Sequence, residues 1–390
     1  MMKKILWSLA IGLVSLFVIA SLSGCKGPEG PTGPQGDKGD AGTNGTNGNN
    51  GLNAGFVYFD GFKDSLRCAS CHNPETDTTY YIAARARQWE ESKHGAGTAS
   101  EENRSGCAEC HTTEGFMLKA KGLTLTDLPN ATPPGCFACH SPHSKGDFSL
   151  RVTSTAQHTL NSNITGVPAS TFSLGKGDLC VGCHRPRTLS PLPDPTKTAT
   201  TDTLKITSNR WYAHYGVQGQ ILTGVGAFQW TDATTYSKTS AHSTMAPITT
   251  DGCTVCHMAD YLPANAYGDH IGGHTMKITY VPEGSTTAVE MVNGCKNCHS
   301  SITKLDYNSR ITQFNTKMAT LKAQLVARGW IDANDVILGT SSSNLKIVPA
   351  SRSGALFNYM MLLHDGSHGI HNPDYAASML DASIAELNKP

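Results

Sequence analysis

The chain is short of apolar residues for its length. Of its 390 residues, 38% are hydrophobic and 7% aromatic, which is low for a globular domain. A core made of side chains alone would be thin, so other apolar bulk must complete it. An excess of charge of either sign is also missing, because 31 basic and 31 acidic side chains cancel. That balance argues against nucleic acid as a partner, which requires a basic surface. Strand-like alternation is scarce, and the spacers are rich in Gly, Thr, Asn and Pro, as in 189–203, which is loop chemistry. The apolar run Ile5–Ala20 is shorter than the ~20 residues that cross a bilayer. The glycine-rich stretch 27–53 has a period of three and no Gly-Lys-Ser/Thr after it, which excludes a phosphate loop. No nucleophile–base pair stands out above chance.

What is abundant is cysteine and histidine, thirteen and sixteen of them. Twelve cysteines fall into six Cys-x-x-Cys-His motifs: Cys68/Cys71/His72, Cys107/Cys110/His111, Cys136/Cys139/His140, Cys180/Cys183/His184, Cys253/Cys256/His257 and Cys295/Cys298/His299. Two thiols three residues apart reach two vinyl groups on one porphyrin edge and form thioethers. The histidine that follows is held beneath the ring, where its imidazole binds iron. Zinc sites and redox dithiols also use Cys-x-x-Cys, but neither requires His after every pair. At this chain's histidine frequency, six such histidines by chance is on the order of one in 10⁸. The motifs therefore imply six covalently attached haem c groups with His72, His111, His140, His184, His257 and His299 as proximal ligands.

The thirteenth cysteine, Cys25, has a separate setting. Lys3 and Lys4, the apolar run and Leu22-Ser23-Gly24-Cys25 have the layout of an export signal and resemble a bacterial lipoprotein signal. The resemblance implies cleavage after residue 24, lipid on Cys25 and, with Lys26 next, the outer membrane. Several acyl chains anchor a protein firmly, whereas one binds only marginally. Glycine then recurs at every third position from Gly27 to Gly51, the collagen pattern. Its later triplets lack proline, so a tether is favoured over a trimerising stalk. Fully extended it spans roughly 80 Å at ~3.1 Å per residue. The organisation expected is 1–24 signal peptide, 25–55 lipid-anchored stalk and 56–390 haem domain ending in helices. The first C-terminal helix carries Phe314, Met318, Leu321 and Leu325 on one face, with Gly329 as its stop. A second starts at Asn372-Pro373 and carries Met379, Leu380, Ile384 and Leu387.

Ten histidines lie outside the motifs. Short segments around them resemble the multihaem cytochrome group that includes pentahaem nitrite reductases and, more closely, outer-surface hexahaem cytochromes of metal-reducing bacteria. These are Trp89-Glu-Glu-Ser92-Lys-His94, His140-Ser-Pro-His143, His214-Tyr-Gly216-Val-Gln218, Ser240-Ala-His242-Ser, Gly272-Gly-His274-Thr and Asp365-Gly-Ser-His-Gly369-Ile-His371-Asn-Pro373. The resemblance implies His94, His143, His214, His242, His274 and His371 as distal ligands. His143 is too near His140 in sequence to serve the same iron and should reach a neighbouring haem. His158 and His270 read as loop or propionate partners, and Met245, Met258 and Met276 as packing.

The fold expected is mainly α with extensive loops and little β-structure, organised around six haems. The function expected is an electron carrier at the cell surface rather than an enzyme. It would pass respiratory electrons to other cytochromes or extracellular acceptors, held to a membrane by its lipid. A multihaem reductase of a compound such as nitrite is the second reading. It is weakened because the Cys-x-x-Cys-Lys motif of the related nitrite reductases is missing. A filament subunit is the third, and homo-oligomerisation stays open.

Overall fold

The computed structural model describes residues 80–97, 102–151, 158–233, 235–261, 264–340, 344–347 and 349–390. Cys25, the stalk and the first motif (Cys68, Cys71, His72) lie outside the described residues. The chain divides into 1–49 and 50–390, and all that follows concerns the second unit. It is mainly helical with a few small strands. No described helix is long and apolar enough to cross a membrane.

Four helices of nine or more residues are described: α1 Ile82–Glu90, α2 Arg310–Ala327, α3 Ser353–Asp365 and α4 Pro373–Asn388. The strands β1 His158–Leu160, β2 Ser170–Phe172, β3 Leu204–Ile206, β4 Thr279–Tyr280, β5 Val289–Glu290 and β6 Leu345–Ile347 form three antiparallel pairs, β1–β2, β3–β6 and β4–β5. The β3–β6 pair, in register at Lys205 and Lys346, ties the middle of the chain to its C-terminal region.

The apolar core is concentrated at that end. Its buried side chains come mainly from 204–236 and 314–387 and include Trp211, Ile221, Phe228, Leu321, Leu325, Leu356 and Leu380. On α2 the buried stripe is Phe314, Leu321 and Leu325. On α4 the Asn372 side chain caps the start by accepting from the Tyr375 amide, and Pro373 follows at the position where its missing N–H costs nothing. Helix α3 is buried on nearly all sides and runs between these elements. The Phe228 loop packs against α3 without a strand partner, so Asn358 supplies its hydrogen bonds. The Asn358 Oδ1 accepts from Phe228 N at 2.8 Å, and its Nδ2 donates to Phe228 O at 2.9 Å. Buried backbone groups need such partners.

The segments that carry the motifs have much less. Two small clusters pack there: Phe116, Ala138 and Leu179, and Leu160, Leu174, Val181 and Leu222. This is the thin side-chain core that the composition implies. Leu321 is fully buried in the well-packed part. Leu321→Ala is expected to cost about 2–5 kcal/mol, read as a lowered midpoint of thermal unfolding with unchanged haem content.

Candidate functional site

Each of the five described motifs folds as one helical turn. The motif histidine donates its backbone N–H to the carbonyl of the first cysteine. The distances are 3.2 Å for His111–Cys107, 2.8 Å for His140–Cys136, 2.8 Å for His184–Cys180, 3.0 Å for His257–Cys253 and 2.8 Å for His299–Cys295. Side chains three and four positions apart share a helix face, so this turn puts both thiols and the imidazole on one side. The ten described motif cysteines form no disulfide, which leaves their sulfurs for thioether bonds.

Eight of these ten cysteines are partly buried, but Cys136 and Cys298 are exposed. Cys298 stands at the surface. The cause is local. The sixth motif winds as a 3₁₀ turn, Cys295–Asn297, which ends at Cys298 with φ −121. Its neighbours Lys296, Asn297 and Ser300 are exposed as well, and no buried apolar cluster of the described residues includes Cys298. Cys136 is exposed beside Phe137, which is 47% exposed. In both motifs the partner cysteine, Cys139 or Cys295, is better covered.

The imidazoles then pair. His184 faces His94 with ring centroids 6.2 Å apart, and His111 faces His214 at 6.1 Å. His140 faces His274, His299 faces His242 and His257 faces His371, each at 6.2 Å. Two metal–imidazole bonds of about 2.0–2.1 Å, with roughly 1.1 Å from each nitrogen to its ring centroid, add to about 6.3 Å. The observed separations are therefore those of two rings sharing one metal ion, too long for a hydrogen bond between them. Among the described residues no group of three or more His, Cys, Asp or Glu could hold a metal ion. Two imidazoles alone are a poor site for a bare ion. They suit an iron whose other four positions belong to a macrocycle, and the flanking cysteine pair supplies its attachment. The residues fit haem c.

Most rings are oriented through Nδ1, which leaves Nε2 for metal. His257 Nδ1 lies 2.9 Å from Met276 O, His242 Nδ1 2.7 Å from Ile370 O and His184 Nδ1 3.1 Å from Gln218 Oε1. His371 Nδ1 lies 2.7 Å from Asp365 Oδ1, and His94 Nδ1 3.0 Å from Met276 Sδ. Met276 thus contacts rings of two different imidazole pairs, where the sequence suggested only packing. Burial, then His184, pushes the His94 pKa down to about 4. Burial, then Arg85 and His140, does the same to His274. Both rings are neutral at pH 7, the form that binds a metal. Burial also opposes charge on His371, but the Asp365 carboxylate outweighs it and the net shift is upward.

The segments around the distal rings have visible mechanical roles. Trp89 Nε1 donates to Pro134 O at 2.9 Å. Ser92 Oγ donates to Trp89 O at 2.6 Å and accepts from Gly95 N at 3.0 Å, closing the loop that presents His94. Gln218 holds His184 through Oε1, while its Nε2 donates to Tyr215 O at 2.8 Å and His364 O at 3.0 Å. His143 stands beside Phe137 with ring centroids 6.0 Å apart; the first motif, with His72, lies outside the described residues.

The remaining histidines do not face a motif ring among the described residues. His158 Nε2 lies 2.7 Å from Asp178 O, and His270 stacks on Tyr280 at 4.7 Å. His368 Nδ1 lies 2.9 Å from Asn315 Oδ1. His364 sits between Tyr212 at 4.4 Å and Tyr215 at 4.5 Å.

The motifs also touch one another. Cys110 lies beside Cys183, and Cys180 beside Cys253. Cys139 and Cys183 pack against one apolar cluster. Gly294, just before the sixth motif, lies so close to Val255 O that a Cβ there would approach it to 2.4 Å. The fourth motif thus adjoins the second, third and fifth, and the fifth adjoins the sixth. Sequence reasoning did not find this order, because no local pattern encodes which motifs meet.

No protein-family model matches the chain, and no curated protein matches it. Two solved structures resemble part of it. The outer cell wall cytochrome OcwA is 18% identical, with 78% of this chain and 50% of that chain aligned and a TM-score of 0.44. An undecahaem cytochrome from the S-layer of Carboxydothermus ferrireducens is 17% identical, with 78% and 40% aligned and a TM-score of 0.34. The chain spans half or less of the length of these two.

Burial, then His214, holds the His364 pKa down at about 4 against an ordinary value of 6.5. A depressed histidine stabilises the fold fully above the unfolded value, and that contribution is lost as pH falls toward the folded one. His364→Phe is therefore expected to lose less thermal stability than the wild type between pH 6.5 and about 4, followed by unfolding midpoint against pH.

Proposed function

We propose that the chain is a hexahaem c-type cytochrome that carries electrons at the cell surface and is not itself an enzyme. The observation that carries this reading is the set of five imidazole pairs at 6.1–6.2 Å, each joining one motif histidine to one other histidine. When bound, haem iron supplies a one-electron couple whose potential the protein sets through ligands, hydrogen bonds and burial. The twelve motif cysteines attach the groups. His72, His111, His140, His184, His257 and His299 are the proximal ligands. His94, His214, His242, His274 and His371 are the distal ligands of the described motifs, and His143 is left for the first. With both axial positions filled by the chain, none of these irons is open to a substrate such as nitrite. The contacts between motifs support a continuous path through the fourth and fifth. Cys25 is the lipid site and 25–55 the tether, which puts the domain on the outer membrane with cytochromes or extracellular acceptors as partners.

The test is the ferric spin state of the haem-loaded protein. The electron-paramagnetic-resonance spectrum is expected to show low-spin iron throughout. His274→Ala is expected to convert one iron to high spin and leave the others unchanged. A high-spin signal in the wild type would contradict the reading.

A further inference from the structure

We propose that Asp365 makes the haem of the Cys253–His257 motif the lowest-potential centre of the five described motifs. This rests on the reading above, with His257 and His371 as that iron's two ligands. The far nitrogen of an axial imidazole tunes the metal: an anionic acceptor on Nδ1 raises the basicity of Nε2. A more basic ligand favours ferric over ferrous iron and lowers the potential.

The Nδ1 acceptors of the five described pairs are unequal. His371 Nδ1 lies 2.7 Å from Asp365 Oδ1, on a carboxylate side chain that is 1% exposed. Water does not screen a bond this deep. The other Nδ1 acceptors found among the described residues are neutral. They are backbone carbonyls for His257 and His242, the Gln218 amide oxygen for His184 and the Met276 thioether for His94. His140 Nδ1 reaches Ser149 O only at 3.4 Å, and His274 Nδ1 is buried without a hydrogen-bond partner among the described residues. The same iron also receives the 2.9 Å bond from His257 to Met276 O, so both of its ligands are polarised.

The neighbourhood keeps the carboxylate aimed. Asp365 closes α3, and Gly366 follows with φ +68, a left-handed turn that glycine adopts without strain. Ser367 Oγ donates to the second oxygen, Asp365 Oδ2, and accepts from His371 N at 3.3 Å. The ion-pair partner of Asp365 among the described residues is His371, with no lysine or arginine to neutralise it. The fifth motif lies between the fourth and the sixth, so an electron crossing that way meets this centre as an uphill step.

The experiment is a potentiometric titration of the full, haem-loaded chain, followed by absorbance and electron paramagnetic resonance. In Asp365→Asn the component that His371→Ala converts to high spin should rise by a tenfold change in its reduction equilibrium, 59 mV for a one-electron couple, while the others stay in place. In Ser367→Ala the carboxylate loses a competing donor, and the same component should fall. His371→Ala should produce one high-spin iron. If His371→Ala leaves all iron low-spin, the ligand reading itself fails and the proposal falls with it. If His371→Ala behaves as expected but Asp365→Asn leaves that component unmoved or moves a different one, or if more than one component titrates below it in the wild type, the proposal alone is overturned. Should Asp365→Asn lose the ligand and turn high-spin, Ser367→Ala decides: a fall upholds the proposal and no shift overturns it.

Discussion

The distance between two facing imidazoles is the constraint on which the described structure turns. Each of five motif histidines meets one other histidine at a separation that a single metal ion spans. The partners come from loops far away in the chain, so each pair acts as a long-range cross-link once metal is bound. His94, from the loop after α1, closes on the fourth motif, and His371, from the turn between α3 and α4, closes on the fifth. With metal bound as proposed, the pairs would hold the tertiary structure as much as the structure holds them.

This explains the uneven core. The C-terminal helices and the Trp211–Trp230 segments pack as an ordinary apolar core, whereas the motif-bearing segments have only small clusters. A chain with 38% hydrophobic residues cannot supply a dense core everywhere. Porphyrin is apolar bulk that fits where side chains are few. The helical C-terminal part then serves as the rigid base from which Gln218, Ile370, Asp365 and His371 reach the motifs.

Much of the site is legible in the sequence, because Cys-x-x-Cys-His encodes its own geometry within one helical turn. How far each motif is covered is not legible, since Cys298 and Cys180 share one pattern yet are exposed and partly buried respectively. Helix α2 is legible through the stripe Phe314, Leu321 and Leu325, and α4 through the Asn372 cap. Helix α3 is not, because its residues are apolar on nearly every side and leave no periodic contrast to read. The segment Asp365–Pro373 shows the mixed case. Its pattern points to His371, but that Asp365 orients the ring and Ser367 holds Asp365 emerges only from the folded turn. Met276 gives no local signal at all, since its two partners, His94 and His257, meet it only in three dimensions. The order of the motifs in space is illegible for the same reason.

The most direct test is a high-resolution structure of the haem-loaded protein that identifies both axial ligands of every iron. Each described motif's iron should lie between the pair named here: His111 with His214, His140 with His274, His184 with His94, His257 with His371 and His299 with His242. An iron in any of these motifs with an open position, a methionine or a different histidine opposite its motif histidine would contradict the account.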